Sequence, residues 1–486
     1  MPAVDERQLR DSFARAEDVA IAEFRFESPS APVRVLLLYS EGLADTKQID
    51  QSVLPHLKTM LRETERIDES ALLTGMTLQL QPVSGPDELG TVTKRVFSGE
   101  LVLFFEEAGL LYSVDISNPP NRQPEESSSE SSIKGPRDSF TENVATNVAL
   151  IRKRMKTRSL CCEKFEIGER SRTSVALLYL ADVARPDVIE EARGRLRSLK
   201  VDGLLSSGQL EEGLSGKKIS LFPLLDYTGR PEYVADCLLR GRFAVLVDGS
   251  PMAVIAPANL MLTLKSAEDV HFPFYYVSME RLLRFAGLIV STFLPGFWLA
   301  LIAYNVDQLP FPLVATISSS RLGLPLSGPM DFILMLLLFE LFREAGMRLP
   351  KAVGQTVTVV GGLIVGDAAI RAGITSPTTL VITSISTISM FTVVNQTLAG
   401  TVSVLRVAIL LVSGFLGIYG FMLCMIGLAL YLSTLESFGV PYMAPLSPPK
   451  FREIPGALLA KPWKTAKRRP FFLKTRDKTR RGGGSA

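Results

Sequence analysis

Between Phe285 and Ser447 the chain almost stops using charge, and that shift limits what it can fold into. Six basic residues (Arg321, Arg343, Arg348, Lys351, Arg371, Arg406) and six acidic ones (Asp307, Asp331, Glu340, Glu344, Asp367, Glu436) occupy those 163 positions, whereas the other 323 carry the remaining 91 charges. A charge at the centre of a bilayer costs about 3 kcal/mol or more, so the contrast reads as a soluble region fused to a bilayer region. The uncharged run 285–304 is 20 residues long, enough to cross about 30 Å of hydrocarbon. The expected fold is multidomain: a cytoplasmic α/β N-terminal region of two subdomains, followed by an α-helical polytopic membrane domain. No apolar signal-peptide core interrupts the charges of the first 30 residues, which predicts a cytoplasmic N-terminal region.

The soluble region repeats itself. A strand at Val33–Tyr39, a helix over Ile49–Leu61 and strands at Leu101–Phe105 and Leu110–Ile116 are matched by a strand at Ser174–Leu180, a helix at Pro186–Leu199 and a hairpin over Arg242–Ile255. The hairpin turns on Asp248-Gly249, a pair suited to positive φ. The LLY triplets at Leu37 and Leu177 are offset by 140 positions, and Gly99 and Gly241 by 142. That constancy predicts two related subdomains. The stretch from Asn118 to Ser132 is rich in proline, serine and glutamate, a composition that cannot bury a core and reads as a linker. Ser139 and Glu142 have capping-box spacing, and the basic run Arg152, Lys153, Arg154 and Lys156 reads as a solvated helix end.

No residue pattern in this half points to catalysis, a cofactor or a metal. His56 and His271 are the only histidines, and neither has a metal-binding partner at ligand spacing. Cys161, Cys162, Cys237 and Cys424 read as reduced structural thiols.

In the membrane half, Arg281 and Arg284 precede the first span, and the tail from Lys450 holds 12 basic against two acidic residues. The positive-inside rule therefore puts both ends in the cytoplasm and requires an even number of crossings, four being favoured. Five apolar stretches are visible, however: 285–304, 331–347, 355–372, 378–397 and 405–434. One of them must deviate, either 331–347 as a re-entrant or amphipathic segment, or 405–434 as a hairpin broken at Gly414, Gly417 and Gly420. Within 355–372 the small residues Thr358, Gly362, Gly366 and Ala369 recur on one helical face. Such a face permits close helix packing, or it lines a narrow pore with Asp367 near its mouth.

Several ordered segments, among them GPRDSFTENVATNVALIRKRM, GRFAVLVDGSP, FELFREAGMRLPKAVGQTVTVVGGLIVGDAAIRAG and LESFGVPYMAPLSP, resemble the GerA family, the A subunits of bacterial spore germinant receptors. The resemblance implies a non-enzymatic subunit of the spore inner membrane, without nucleic-acid partners. It also implies a transporter-like B subunit that holds the nutrient, a C-subunit lipoprotein, and a homo-oligomeric ring, a pentamer, that forms a nutrient-gated cation channel. Carried onto this sequence, the pore role falls on Thr358, Val359, Gly362, Leu363 and Gly366. Non-conducting scaffold and paralogous ion-release amplifier are the alternatives. The expected division is subdomain 1 at 1–117, linker 118–138, subdomain 2 at 139–278, membrane domain 279–447 and basic tail 448–486. Within the tail, Trp463, Phe471 and Phe472 are candidate anchors on anionic membrane lipids.

Overall fold

The repeat is built as two sheets of the same strand order. The computed structural model describes residues 5–29, 32–63, 80–83, 87–118, 134–216, 220–349, 364–465 and 467–480. Strands β1 (Val19–Phe26), β2 (Val33–Ser40), β3 (Gln81–Pro82), β4 (Glu100–Phe105) and β5 (Leu110–Asp115) form the first sheet, and β6 (Leu160–Ile167), β7 (Thr173–Leu180), β8 (Asp226–Thr228), β9 (Phe243–Val247) and β10 (Ala253–Ala256) the second. Their orders are β1-β2-β4-β5-β3 and β6-β7-β9-β10-β8. Every ladder in the two sheets is antiparallel, which refines the α/β expectation. Leu37 pairs with Leu103, and its repeat-mate Leu177 pairs with Val245. Gly99 and Gly241, at corresponding corners, both adopt φ +95°, a conformation open to glycine at little steric cost. The edge strands, β1 and β6 on one side and the short β3 and β8 on the other, absent from the sequence reading, complete the symmetry.

Side chains alternate across each sheet, so each sheet has a core on both faces. Leu37 and Leu103 pack under Val53 and Leu57, the latter on α2 (Leu54–Glu63), while Leu36 and Leu38 face Leu9 on α1 (Glu6–Phe13) and Val92 and Val96 on α3 (Glu88–Val96). In the second sheet, Leu178 and Leu246 meet Ile151 on α4 (Val144–Arg154), whereas Leu177 and Val245 meet Ile189 and Leu196 on α5 (Pro186–Ser198). Two shorter helices, α6 (Ser207–Ser215) and α7 (Pro231–Leu239), complete this unit.

Two local readings need correction. Asn143, rather than Ser139, caps α4, its side chain accepting from the Thr146 amide at 2.9 Å. Nor is Arg152 solvated. It is fully buried and grips Asp18 through two hydrogen bonds of 2.7 Å each, with its guanidinium carbon 4.1 Å from the Phe97 ring centroid. Asp18 and Phe97 belong to the first subdomain, so this bidentate pair clamps the two units together.

The C-terminal half is helical: α8 (Phe274–Tyr304), α9 (Phe311–Ser320), α10 (Gly328–Arg348), α11 (Pro377–Met390) and α12 (Gln396–Thr434). Among the described residues, α8 and α12 are the helices long and apolar enough to cross a membrane, with mean hydropathies of 2.0 and 2.3. The 39 residues of α12 do not run straight, because Gly417 sits at φ 60°, ψ −145°. The Leu221 carbonyl accepts from the Thr401 hydroxyl at 2.6 Å, and its amide donates to the Tyr431 hydroxyl oxygen at 3.1 Å. Two residues 30 positions apart would be separated by about 45 Å along a straight helix, so α12 is a hairpin with antiparallel arms. A Cβ on Gly420 would lie 2.7 Å from the Val412 carbonyl oxygen across that turn. The Tyr304 hydroxyl donates to the Gly414 and Phe415 carbonyls at 2.8 and 3.2 Å, carbonyls that the interrupted ladder leaves short of helical donors.

Candidate functional site

Of the residues given a pore role, Thr358, Val359, Gly362 and Leu363 lie outside the described residues. Gly366 and Asp367 fall in the short helix Gly366–Arg371. Gly366 is buried, and a Cβ there would meet the Leu380 side chain of α11 at 3.1 Å. Asp367 is exposed and pairs with Arg371 at 2.8 Å. At these two positions, therefore, the small residue packs against a neighbouring helix while the acid is exposed and paired within its own helix. The hydroxyls of α11 also turn inward. Thr379, Thr383, Ser386 and Thr387 are buried, and the Ser386 hydroxyl donates to the Ser291 carbonyl of α8 at 3.0 Å.

Sequence reasoning passed over the most concentrated charge in the bundle. Arg406, on the first arm of α12, has no solvent exposure and forms an ion pair with Glu340 of α10. Glu340 also accepts from Ser403 at 2.6 Å and from Arg343 at 2.7 Å. The signal was available, because Arg406 is the single charged residue between Arg371 and Glu436, and an isolated charge in an apolar stretch requires a partner. A fully buried acid, Asp331 in the first turn of α10, accepts from the Thr379 hydroxyl at 2.8 Å and the Ser376 amide at 3.4 Å. Ser376 caps α11, so Asp331 joins the N-terminal ends of two helices, where the dipoles favour a carboxylate.

The third polar centre connects the two halves of the molecule. Asn395 caps α12 and donates to Asp226 of β8 at 2.8 Å, and the Tyr233 hydroxyl donates to the same carboxylate at 3.2 Å. A cavity of about 30 Å³ adjoins them, lined also by Thr263, Lys265 and Gln396. Burial raises the Asp226 pKa, against the opposing hydrogen bonds from Asn395 and Tyr233. Burial pushes the Lys265 amine well below the usual lysine range. Glu211 on α6 is pushed up to about 7, first by burial and then by the Asp226 charge. Around this centre Phe222, Leu224, Leu260 and Met261 of the soluble half pack with Leu398, Leu435 and Tyr442 of the helical half. The arrangement is suited to transmitting force between the halves, since a displacement of β8 bears directly on the cap of α12.

Comparison with known proteins places these features in context. The family model described as Bacillus/Clostridium GerA spore germination protein matches residues 7–472. Spore germination protein XA of Bacillus anthracis is 42% identical over 98% of this chain and 97% of its own length. Spore germination protein KA of Bacillus subtilis is 31% identical over 98% of this chain and 87% of its own. Among solved structures, the N-terminal domain of the A subunit of the Bacillus megaterium spore germinant receptor GerK3 matches at 26% identity, covering 52% of this chain and 92% of that one, with a TM-score of 0.38.

Proposed function

The chain belongs to the GerA family of spore germination proteins, and from that premise we propose that it is the A subunit of a nutrient-gated cation channel in the spore inner membrane. In this reading several copies form a ring, with five the expected number. A transporter-like B subunit binds the nutrient, and a C-subunit lipoprotein completes the receptor. The soluble half and the basic tail face the cytoplasm. The pore is lined by the segment that contains Thr358, Val359, Gly362, Leu363 and Gly366.

The observation that carries the reading is the α12 hairpin, seated on the soluble half through Asp226 and Asn395. Counted as two crossings, its arms turn the five apolar stretches of the sequence into six, an even number as required when both ends share one side, in place of the four favoured from the sequence. Coupling also has a route: nutrient binding on the partner shifts the soluble ring, β8 moves the cap of α12, and the bundle around α10 and α11 follows. A non-conducting scaffold is the second reading, supported by the packing of Gly366 against Leu380 and the pairing of Asp367 with Arg371.

Reconstitution of the complete receptor in liposomes separates the two. Val359→Ala and Gly362→Ala are expected to change nutrient-dependent potassium release while ring size, read by native mass spectrometry, stays constant. A scaffold predicts unaltered release, and a chain that remains monomeric with its partners present overturns the channel.

A further inference from the structure

The basic tail is not a free solvated segment; it is folded back onto both halves of the protein. The Ala460 amide donates to the Ser278 hydroxyl in the first turns of α8 at 3.0 Å, and the Phe471 amide to Glu453 at 3.1 Å. Farther along, Arg469 donates to the Leu239 carbonyl at 2.7 Å, and the Arg476 amide to the Val183 carbonyl at 3.0 Å. The short helix Ile454–Leu458 belongs to the apolar cluster that holds Phe285 and Leu288 of α8. The tail thus forms a strap beneath the point where α8 enters its uncharged stretch.

Along the strap, Arg452, Lys461, Lys464, Lys467 and Arg468 are exposed, and none of their side chains forms an ion pair among the described residues. Of the nearby acids, Asp269 pairs with Arg281 and Arg284, Glu280 with Arg284 and Asp477 with Arg469, while Glu453 accepts from the Phe471 amide and keeps its negative charge against five cations. The surface therefore keeps an excess of positive charge at a fixed location. Beside it, Phe274, Tyr275 and Tyr276 at the start of α8, and Phe451 on the strap, expose their rings. Unpaired cations next to exposed aromatic rings, at the foot of an apolar helix, form the surface that an anionic lipid headgroup layer matches.

We propose that residues 451–465, 467 and 468 and the first turns of α8 form a collar that binds the phosphate headgroups of anionic phospholipids. The inference rests on the membrane orientation proposed above, and it adds a lipid requirement to that reading. The collar holds the soluble half at a set distance from the bilayer, so headgroup charge acts on the Asp226–Asn395 junction through the start of α8.

The test uses the full chain in nanodiscs containing equal amounts of phosphatidylcholine and phosphatidylglycerol. Native mass spectrometry should show preferential retention of phosphatidylglycerol, lost in the variant R452Q/K461Q/K464Q/K467Q and kept when the three lysines are replaced by arginine. Each cation removed should lower retention by about fivefold at low salt, and 1 M NaCl should abolish the preference. Soluble glycerol phosphate should not compete, whereas effective competition by it would assign the surface to free phosphates and overturn the lipid collar. Equal retention of both lipids by the wild type, or unchanged retention by the glutamine variant, also overturns it. Potassium release from pure phosphatidylcholine liposomes keeps the two readings distinct. Release without lipid preference removes the collar and leaves the channel, whereas lipid preference without release removes the channel and leaves the collar.

Discussion

At the scale of single residues, the bundle depends on how Arg406 and Glu340 share partners. Arg406 is fully buried, and its guanidinium has Glu340 as its one carboxylate partner among the described residues, supplemented by contacts of 3.4 and 3.5 Å to the Ser386 and Thr387 hydroxyls. Glu340 is held by Arg343 and Ser403 as well. The two halves of the pair are therefore unequal. Glu340→Gln strands a buried cation and should destabilise the protein by about 3–5 kcal/mol, whereas Arg406→Met leaves a carboxylate that keeps two partners and should cost clearly less. Thermal unfolding of the purified chain in detergent, completed by the double variant as a mutant cycle, measures both terms. Equal losses from the two single substitutions would show that Arg343 and Ser403 do not compensate Glu340 once Arg406 is gone.

At the scale of elements, the sequence was legible where local pattern and long-range packing agree. The repeat of strand, helix and hairpin came from period-two alternation and from Gly99 and Gly241, whose common φ of +95° fixes the same corner in both sheets. It was illegible where the deciding partner is remote. Arg152 sits in a basic run, and its partner Asp18 lies 134 positions earlier. Gly414, Gly417 and Gly420 all suit helix packing equally, and Gly417 becomes the turn in company with Tyr304, whose Cβ would be 3.0 Å from a Cβ at that position. The pore assignments on Thr358, Val359, Gly362 and Leu363 came from family resemblance and fall outside the described residues. The hairpin itself makes a sharp prediction. Spin labels at the exposed positions Val404 and Leu430 should report a short distance, against the roughly 39 Å of a straight helix. Gly417→Ala should broaden or lengthen it, because φ 60° with ψ −145° is a conformation kept almost entirely for glycine, costing other residues about 1–3 kcal/mol.

At the scale of the whole molecule, the two halves meet at a junction where burial has displaced three ionisable groups. Glu211 is pushed up to about 7 and Asp226 is also raised, both chiefly by burial, while Lys265 is driven down. For the two acids, the folded protein holds protons that the unfolded chain has already released. Their stabilisation is thus complete below the ordinary carboxylate range near pH 4 and is lost as pH rises through the folded value. For Glu211 that window ends near pH 7. Lys265 acts with the opposite sign: the unfolded chain keeps its proton to higher pH, so stability recovers as pH climbs from the depressed folded value toward the ordinary lysine value. Because the Lys265 contribution is common to both proteins, the melting temperature in detergent of the wild type relative to Glu211→Gln should fall as pH rises from 5 to about 7.5. Because Asp226 also receives the Asn395 side chain that caps α12, a hydrogen bond that favours the ionised carboxylate, Asp226→Ala should loosen the cap. Hydrogen exchange at the first turn of α12 should accelerate in that variant at constant pH. A flat melting profile combined with unchanged protection in Asp226→Ala would mean that the junction is a passive weld, and force would have to pass between the halves through the apolar contacts of Phe222, Leu398 and Tyr442 alone.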